Sequence, residues 1–206
     1  MIVEKLEVGP IMANCFIVGC ENTKEAVVID PGDEADRILL KLADLGLKVK
    51  CLVNTHGHFD HVGGNKRMKE VTAAPLGIHP EDEPMLMELS ASAARFGLSA
   101  ENSPPADLAL EDGDTIQFGQ ITLTVIHTPG HSRGGICLHT PGHLFAGDTL
   151  FAGSIGRTDL PGGDYDTLIA SIKTRLLSLD DDTVVYTGHG PETTIGNEKR
   201  MNPFLR

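Results

Sequence analysis

The run THGHFDH at positions 55–61 constrains this chain more than any other segment, because it places three imidazoles and one carboxylate within six residues. The apolar residues 51–54 before it predict a short buried strand, and Gly64 with Asn65 after it predict the start of a helix. The cluster is therefore expected on a turn between a strand and a helix. Imidazoles and a carboxylate at this density are typical of a metal site.

The spacing within this run divides its side chains between two centres. At a tight bend, His56 and His58 can face one cation. Asp60 and His61 can then face a second cation beside the first. Two cations need more than four ligands, so the rest of the chain is expected to supply others.

Three further candidate ligands follow strand-like segments: His131, Asp148 and His189. Each lies next to a glycine, where a loop leaves the sheet and the backbone can approach an ion closely. The complete set divides into His56, His58 and His131 for metal one, Asp60, His61 and His189 for metal two, and Asp148 as the bridge. Imidazole and carboxylate without thiolate suit zinc, iron or manganese and leave room for water. We therefore expect two divalent ions, with zinc the first choice.

The HxHxDH run, with single His, Asp and His residues at later strand ends, resembles the metallo-β-lactamase superfamily over almost the whole chain. Several motifs are similar to hydroxyacylglutathione hydrolase (glyoxalase II), namely THGHFDH, GDTLF at 147–151, GRT at 156–158 and NPFLR at 202–206. The resemblance implies an α+β fold, the αββα sandwich of two mixed sheets packed face to face with helices outside. It implies a single domain over 1–206.

Two departures refine this resemblance. A β-lactamase of the superfamily usually carries cysteine where Asp148 stands, so antibiotic hydrolysis is not expected as the main activity. Full-length glyoxalase II enzymes continue past the NPFLR segment into helices that carry further basic residues for glutathione, whereas this sequence stops at Arg206. The hydrolytic centre is thus expected to be intact while much of the carrier-binding surface is missing. Shorter glyoxalase-II-like enzymes of bacteria are the most similar.

The size and charge of the chain limit the classes of partner that it is expected to bind. The chain has 206 residues, 40% of them hydrophobic, which suits one domain with a sizeable core. Acidic residues outnumber basic ones by 29 to 17 and no basic stripe is present, so nucleic acid is not an expected partner. No signal peptide or apolar span of about 18 residues is found, which predicts a soluble, cytoplasmic protein without membrane contact. The oligomeric state is left open.

Residues outside the metal motifs have simpler expected roles. The four cysteines form no CxxC pair and are expected to be reduced and mostly buried: Cys15, Cys20, Cys51 and Cys137. Four other histidines are expected to be surface or core residues without a role in binding: His79, His127, His139 and His143.

Hydrophobic patterning and turn residues predict the order of the elements. Strands are expected at about 2–8, 14–19, 25–30, 49–53, 76–79, 115–118, 121–126, 135–139, 143–147 and 183–186. Helices are expected at about 34–45, 62–70, 81–95 and 165–178. Residues 99–107 are expected to form a surface crossing between two halves.

Two residues near the motifs have alternative roles. By resemblance, Arg157 lies where the family places a basic residue near the thiol-bearing carrier of the substrate, which makes it a candidate substrate contact. Its alternative role is a surface salt bridge with Asp159 or Asp164. Asp30 either caps the Asp-Pro-Gly turn or orients a metal-binding histidine.

The expected chemistry is hydrolysis by a hydroxide that bridges two metals, since such bound water has a pKa of about 7. Asp60 is the catalytic candidate that orients this nucleophile. A thiolate leaving group needs no proton, because a thiol has a pKa of about 8.5, whereas an amide nitrogen does need one. With the resemblance, this favours small-molecule thioesters, namely S-2-hydroxyacylglutathione such as S-lactoylglutathione. The alternatives are a mononuclear-iron persulfide dioxygenase and a metal-binding regulatory module without catalysis.

Overall fold

The computed structural model describes residues 1–206, and its first sheet has six strands in chain order. These strands are β1 (Ile2–Val8), β2 (Ala13–Gly19), β3 (Glu25–Ile29), β4 (Lys48–Val53), β5 (Leu76–Ile78) and β6 (Leu108–Ala109). The first three strands pair antiparallel, whereas β3 to β6 pair parallel. The sheet is therefore mixed, and the carboxyl ends of its parallel strands lie along one edge.

The second sheet also has six strands, in the order β14-β13-β10-β9-β8-β7. They are β7 (Thr115–Phe118), β8 (Ile121–His127), β9 (Ile136–Thr140), β10 (His143–Gly147), β13 (Val184–Thr187) and β14 (Thr193–Thr194). Only β10 and β13 pair parallel. A separate two-stranded ribbon contains β11 (Leu150–Phe151) and β12 (Ser154–Ile155).

Seven α-helices complete the chain. They are α1 (Ala35–Asp44), α2 (Phe59–Val62), α3 (Asn65–Thr72), α4 (Glu83–Met87), α5 (Leu89–Arg95), α6 (Tyr165–Ser171) and α7 (Ile195–Met201). Helix α6 continues into a π-helical turn at Ile172–Leu176.

The layers follow from the alternation of side chains along the strands. In β2, Phe16 and Val18 point into a cluster shared by both sheets, whereas Cys15 and Ile17 point into a cluster shared with helices α1 and α3. A third cluster packs Leu168 and its neighbours on α6 against the outer face of the second sheet. The order helix, sheet, sheet, helix is the predicted αββα sandwich, which is confirmed.

The predicted helices differ from the observed ones at two places. Residues 62–70 were expected to form one helix, but α2 ends at Val62 and α3 begins at Asn65. A Cβ atom at Gly63 would collide with the carbonyl oxygen of Gly32, so the chain passes close to the loop after β3 at this break. Residues 81–95 were also expected as one helix, but the backbone leaves helical geometry at Glu88.

The elements missing from the prediction are short. Strands β6, β11, β12 and β14 have two residues each, which is too few to produce an alternating pattern. Helix α7 begins directly after β14, with Thr194 accepting a hydrogen bond from Asn197 N as its cap. The cap pattern is present in the sequence, but no hydrophobic period of useful length follows it.

Two predictions from composition can be compared with the structure. All four cysteines are buried, as predicted. No helix combines the length and the apolar character that crossing a bilayer requires. The cytoplasmic location stays a prediction.

The two sheets are joined at the edge where the candidate ligands lie. The backbone N–H of Asn14 donates to Gly188 O at 2.7 Å, and its side-chain amide donates to Thr187 O at 2.8 Å. The N–H of Gly188 in turn donates to Gly147 O at 2.7 Å. These bonds hold the loops after β10 and β13 against the start of β2.

Phe145 is a central residue of the core between the two sheets, and its substitution tests how tightly this core packs. Phe145 is 1% exposed, meets Phe16 edge-on at 5.5 Å and stacks on Tyr186 at 4.7 Å. We expect Phe145→Ala to lower the free energy of unfolding by about 3–5 kcal/mol, because the ring leaves a cavity that the sheets cannot close. Urea denaturation measures it. Phe204→Ala, at a ring that is 41% exposed, is the control and should change stability little. Equal unfolding midpoints for both variants would contradict this account of the core.

Candidate metal centre

The metal-binding run lies partly on a loop and partly on a helical turn. His56 and His58 follow β4 on the loop, and His58 is the extended residue that precedes α2. Asp60 and His61 belong to α2 itself. The run was expected on a turn between a strand and a helix, and its second half lies within the first turn of that helix. Because the backbone changes from loop to helix at His58, the side chains before and after this residue face two different groups of candidate ligands.

The first group of nitrogens comes from three histidines. His131 Nε2 lies 3.3 Å from His56 Nε2 and 2.8 Å from His58 Nδ1. All three side chains are buried. This is the set predicted for metal one.

The second group combines α2 with the loop after β13. His61 Nε2 lies 3.2 Å from His189 Nε2, and His189 Nε2 lies 3.3 Å from Asp60 Oδ2. This is the set predicted for metal two.

Asp148 lies between the two groups. Its Oδ1 is 3.4 Å from His61 Nε2, and its Oδ2 is 3.6 Å from His131 Nε2. The Oδ1 atom is buried and has no hydrogen-bond partner. A Cβ atom at Gly188 would overlap that same oxygen, so glycine is required beside it. All seven predicted residues are thus brought together, with Asp148 between the two groups, and its role as a bridge between two metals stays a prediction.

The donor set fits metal ions. Tetrahedral coordination with metal–nitrogen distances of about 2.0–2.1 Å places two ligand nitrogens about 3.3 Å apart. The separations between His56 and His131 and between His61 and His189 are 3.3 and 3.2 Å, whereas His58 Nδ1 and His131 Nε2 are closer, at 2.8 Å. A buried carboxylate oxygen without a partner is costly unless it binds a cation. The geometry therefore supports a dinuclear centre of nitrogen and oxygen ligands.

The outer nitrogens of three histidines donate to fixed oxygens. His61 Nδ1 donates to Asp30 Oδ2 at 3.1 Å, and His131 Nδ1 donates to Arg157 O at 2.8 Å. His189 Nδ1 donates to Met12 O at 3.2 Å. Each bond leaves the Nε2 lone pair facing the centre, which is the arrangement that metal-binding histidines use.

Asp30 fixes His56 as well, through Thr55. The Thr55 hydroxyl donates its single proton to Asp30 Oδ2 at 2.6 Å, and the Thr55 N–H donates to Asp30 Oδ1 at 2.7 Å. His56 Nδ1, 3.0 Å from that hydroxyl, must then be the donor between them. Asp30 therefore orients one histidine of each group, His61 directly and His56 through Thr55. Of its two expected roles, the geometry supports the orienting one.

The first group favours neutral imidazoles. Burial lowers the pKa of His56 well below its ordinary value, and the neighbouring imidazoles lower it further. Burial likewise lowers the pKa of His58 to about 4, with His131 adding to the effect. Neutral imidazole is the form that binds a metal ion.

The second group attracts positive charge. Burial alone would lower the pKa of His61, but Asp148, Asp60 and Asp30 outweigh it and raise that pKa to about 10. Burial also opposes the charged form of His189, yet the hydrogen bond with Asp60 raises its pKa. For Asp60, burial would raise the pKa, but the facing His61 and His189 hold it below its usual range. The concentration of carboxylates here matches a site for a divalent cation.

The ligands form the floor of a cleft of about 630 Å³. His58, Asp60, His131, Asp148 and His189 line it. One wall comes from the ribbon β11–β12 and residues 157–161 after it. The cleft is therefore open to a small molecule that approaches the candidate metals.

The opposite wall was not predicted. It is built from α4, α5 and Phe96, and contributes Met85, Glu88, Ser92 and Arg95 to the cleft. The polar residues in this segment recur at helical spacing, which is a signal in the sequence, but solvated helix faces show the same pattern.

Arg157 lines the cleft and also forms an ion pair. Its guanidinium donates to both oxygens of Asp159, at 2.7 and 2.8 Å, and both side chains are exposed. The salt bridge expected as its alternative role is therefore present. Contact with a substrate stays a prediction for Arg157.

A second histidine group lies outside the centre. The rings of His79 and His127 stack at 4.1 Å with an interplanar angle of 10°, and Glu81 is beside them. Lone pairs lie in the ring planes, so two parallel rings do not direct them to one point. His127 Nε2 contacts Arg133 O at 2.9 Å. We assign no metal to this group.

The chain is similar in sequence to a known family and to curated proteins. Residues 8–189 match the sequence model of the metallo-beta-lactamase superfamily. Hydroxyacylglutathione hydrolase GloC of Haemophilus influenzae is 41% identical over 214 residues, which cover 100% of this chain and 98% of that protein.

Two solved structures are similar over their whole length. The BLEG-1 B3 metallo-beta-lactamase is 38% identical with a TM-score of 0.93 and 99% of each chain covered. TTHA1623 in a di-iron-bound form is 41% identical with a TM-score of 0.91, covering 98% of this chain and 100% of that one. The matched region contains all seven residues of the centre, from His56 to His189. The chain belongs to the metallo-β-lactamase superfamily.

Proposed function

We propose that this protein is a thioester hydrolase that acts on S-2-hydroxyacylglutathione, such as S-lactoylglutathione. The observation that carries the proposal is the position of Asp148 between two groups of ligands at the floor of an open cleft. The similarity to a relative named hydroxyacylglutathione hydrolase supports the choice of substrate.

The residues that would hold the ions are His56, His58 and His131 for one, Asp60, His61 and His189 for the other, and Asp148 for both. When bound, two such ions supply a nucleophilic hydroxide near neutral pH and polarise an acyl carbonyl. We propose zinc, and the nitrogen and oxygen donors also suit iron or manganese.

Asp60 has the position of a residue that orients the nucleophile. Its carboxylate lines the floor of the cleft, and the imidazoles of His189 and His61 hold it at 3.3 and 3.7 Å. A carboxylate held in this way accepts a hydrogen bond from the attacking group and directs the attacking lone pair toward a carbonyl carbon.

The cleft favours a leaving group that departs without a proton. Apart from the candidate metal ligands, its charged and hydroxyl side chains are Glu88, Ser92, Arg95, Ser154 and Arg157. None of them is a histidine, lysine or tyrosine, and the single carboxyl group among them, Glu88, lies at the start of α5 and not among the candidate ligands. A thiolate leaves as an anion, since a thiol has a pKa of about 8.5. This supports thioesters over amides, including the amide of a β-lactam ring.

A persulfide dioxygenase with one iron is the second candidate. The observation in its favour is that a relative, TTHA1623, takes iron, although its di-iron-bound form holds two ions whereas the dioxygenase uses one. The number of ions bound per chain separates the candidates, because the dioxygenase needs only one.

We expect two metal equivalents per chain. Protein purified without chelators and then incubated with zinc should contain two tightly held ions by elemental analysis after desalting, since the ligands form two groups joined by Asp148. A single ion, with no increase after zinc is added, would count against the dinuclear centre and in favour of the dioxygenase.

Asp148→Ala should remove the centre. Without this carboxylate two cations would repel each other across a short gap, so we expect metal content to fall below about one ion per chain. Turnover should fall by more than about 100-fold, beyond the 10- to 100-fold that loss of an outer partner costs. The control is Asp36→Ala, at an exposed carboxylate on α1. Full metal content with near-normal turnover in Asp148→Ala would show that the bridge is not needed.

Purified, metal-loaded protein should release free thiol from S-lactoylglutathione faster than metal-free protein does. The same samples should be assayed with a β-lactam and, for oxygen uptake, with glutathione persulfide. Thiol release alone supports the proposal. No thiol release together with oxygen uptake would replace it with the dioxygenase, and β-lactam cleavage alone would replace it with a lactamase.

Arg157 is the proposed contact for the carrier on the ribbon side of the cleft. If the contact is made equally in the ground state and the transition state, Arg157→Ala should raise KM for S-lactoylglutathione more than it lowers kcat. An unchanged KM would leave Arg157 as a partner of Asp159 only.

A further inference from the structure

One face of α5 is directed into the cleft above the candidate metals. Ala91, Ser92 and Arg95 of α5 line it at a spacing of one helical face, together with the residues that flank the helix, Glu88 and Phe96. The face presents a carboxylate from Glu88, the small side chains of Ala91 and Ser92, and a guanidinium from Arg95. It lies opposite the wall that carries Arg157.

The start of this wall is fixed to the metal loops by Asp82. Its carboxylate is 1% exposed and accepts hydrogen bonds from Gly57 N at 3.0 Å and Gly134 N at 2.6 Å. A Cβ atom at Gly134 would lie 2.9 Å from the Asp82 Cγ, and one at Gly57 would lie 2.9 Å from the Asp82 O. Gly57 separates two metal-binding histidines, so the wall and the floor are joined at their closest point.

The rest of the wall is fixed by packing. Leu89 and Ala93, on the other side of α5, are 1% and 0% exposed. At its end, Phe96 packs on Phe59 with ring centroids 5.1 Å apart. Phe59 follows the metal-binding His58 directly. The polar face of α5 therefore has a defined position relative to the candidate metals.

The two charges on this face have no partners in the protein. Arg95 and Glu88 form no ion pair, whereas Arg157 across the cleft is bound by Asp159. Arg95 is thus the cation of the cleft that is free to bind an anion.

The separation of the charges indicates the size of the ligand. Glu88 caps the start of α5 and Arg95 ends it, so the helix rise of 1.5 Å per residue places the two residues roughly 10 Å apart. An extended tripeptide of 3.3–3.6 Å per residue spans about 10 Å. Ala91 and Ser92 between the charges leave room for a peptide backbone against the helix.

We propose that the α5 face binds the peptide carrier of the thioester, with Arg95 binding a terminal carboxylate and Glu88 the ammonium group at the other end. The ligand class is a zwitterionic tripeptide thiol of the glutathione type. This inference rests on the proposed thioester hydrolysis, and it names the part of the chain that selects the carrier.

The test compares two thioesters with the same acyl group. S-lactoylglutathione carries the charges of the peptide, whereas S-lactoyl-N-acetylcysteamine carries none. For Arg95→Gln we expect KM for the glutathione thioester to rise about tenfold, as the loss of one ionic hydrogen bond gives, with kcat nearly unchanged. KM for the uncharged thioester should not change. Glu88→Gln should show the same selectivity.

The control variant is Arg206→Gln, which removes one positive charge outside the cleft and should alter neither KM. Circular dichroism and metal content of all variants should match the unsubstituted protein. Equal changes of KM for both thioesters, or no change for either, would overturn the assignment of Arg95.

A binding measurement separates this inference from the proposed activity. Calorimetry with S-hexylglutathione, a thioether that is not hydrolysed, should give about tenfold weaker binding to Arg95→Gln than to the unsubstituted protein. If no thioester is hydrolysed but this difference is found, the proposed reaction fails and the carrier site stands. If the unsubstituted protein hydrolyses thioesters but Arg95→Gln binds S-hexylglutathione equally well, the carrier site fails alone.

Discussion

The hydrogen bonds accepted by the carboxylate of Asp30 fix the orientation of the histidines in the candidate metal centre. This carboxylate accepts hydrogen bonds from His61 directly and from Thr55, whose hydroxyl in turn accepts from His56. One buried acceptor thus sets the tautomer of one histidine in each ligand group. The cost is a backbone with φ of 51° at Asp30, a left-handed conformation that aspartate tolerates better than most residues. Because Asp30 follows β3 and Thr55 follows β4, the register of two parallel strands determines how both imidazoles point.

The centre also depends on contact between the two sheets. His56 and His61 follow a strand of the first sheet, whereas Asp148 and His189 follow strands of the second. The hydrogen bonds from Asn14 to the loop after β13 hold these strand ends together. Close approach requires glycine at Gly188, where any side chain would overlap Asp148. Packing between the sheets and coordination of metal are therefore linked, since the core places ligands that neither sheet supplies alone.

The sequence predicts the sandwich and the grouping of the ligands well, because both depend on local patterns: apolar strands, and polar residues with glycine at their ends. It predicts less well those elements and contacts whose conformation depends on residues distant in the chain. The helical turn that contains Asp60 and His61 has only four residues, and the break at Glu88 has no glycine or proline to mark it. The bond from His189 to Met12 joins residues far apart in the chain, at a positive φ of 57° for Met12. Such contacts leave no local pattern in one sequence.

The floor and the α5 wall of the cleft come from different parts of the fold. The floor carries the candidate metal ligands, and the wall carries the residues proposed to select the substrate. The floor is built from strand ends, whose positions the two sheets determine, so relatives of one fold can share it while their names refer to glutathione thioesters or β-lactams. The α5 wall belongs to the connection between β5 and β6, which can vary without disturbing either sheet. Asp82 is the point where the two meet, because it binds the loop that separates His56 from His58. If the α5 face selects the carrier as proposed, new side chains on this wall can change the substrate while Asp82 keeps the wall joined to the loop of candidate metal ligands.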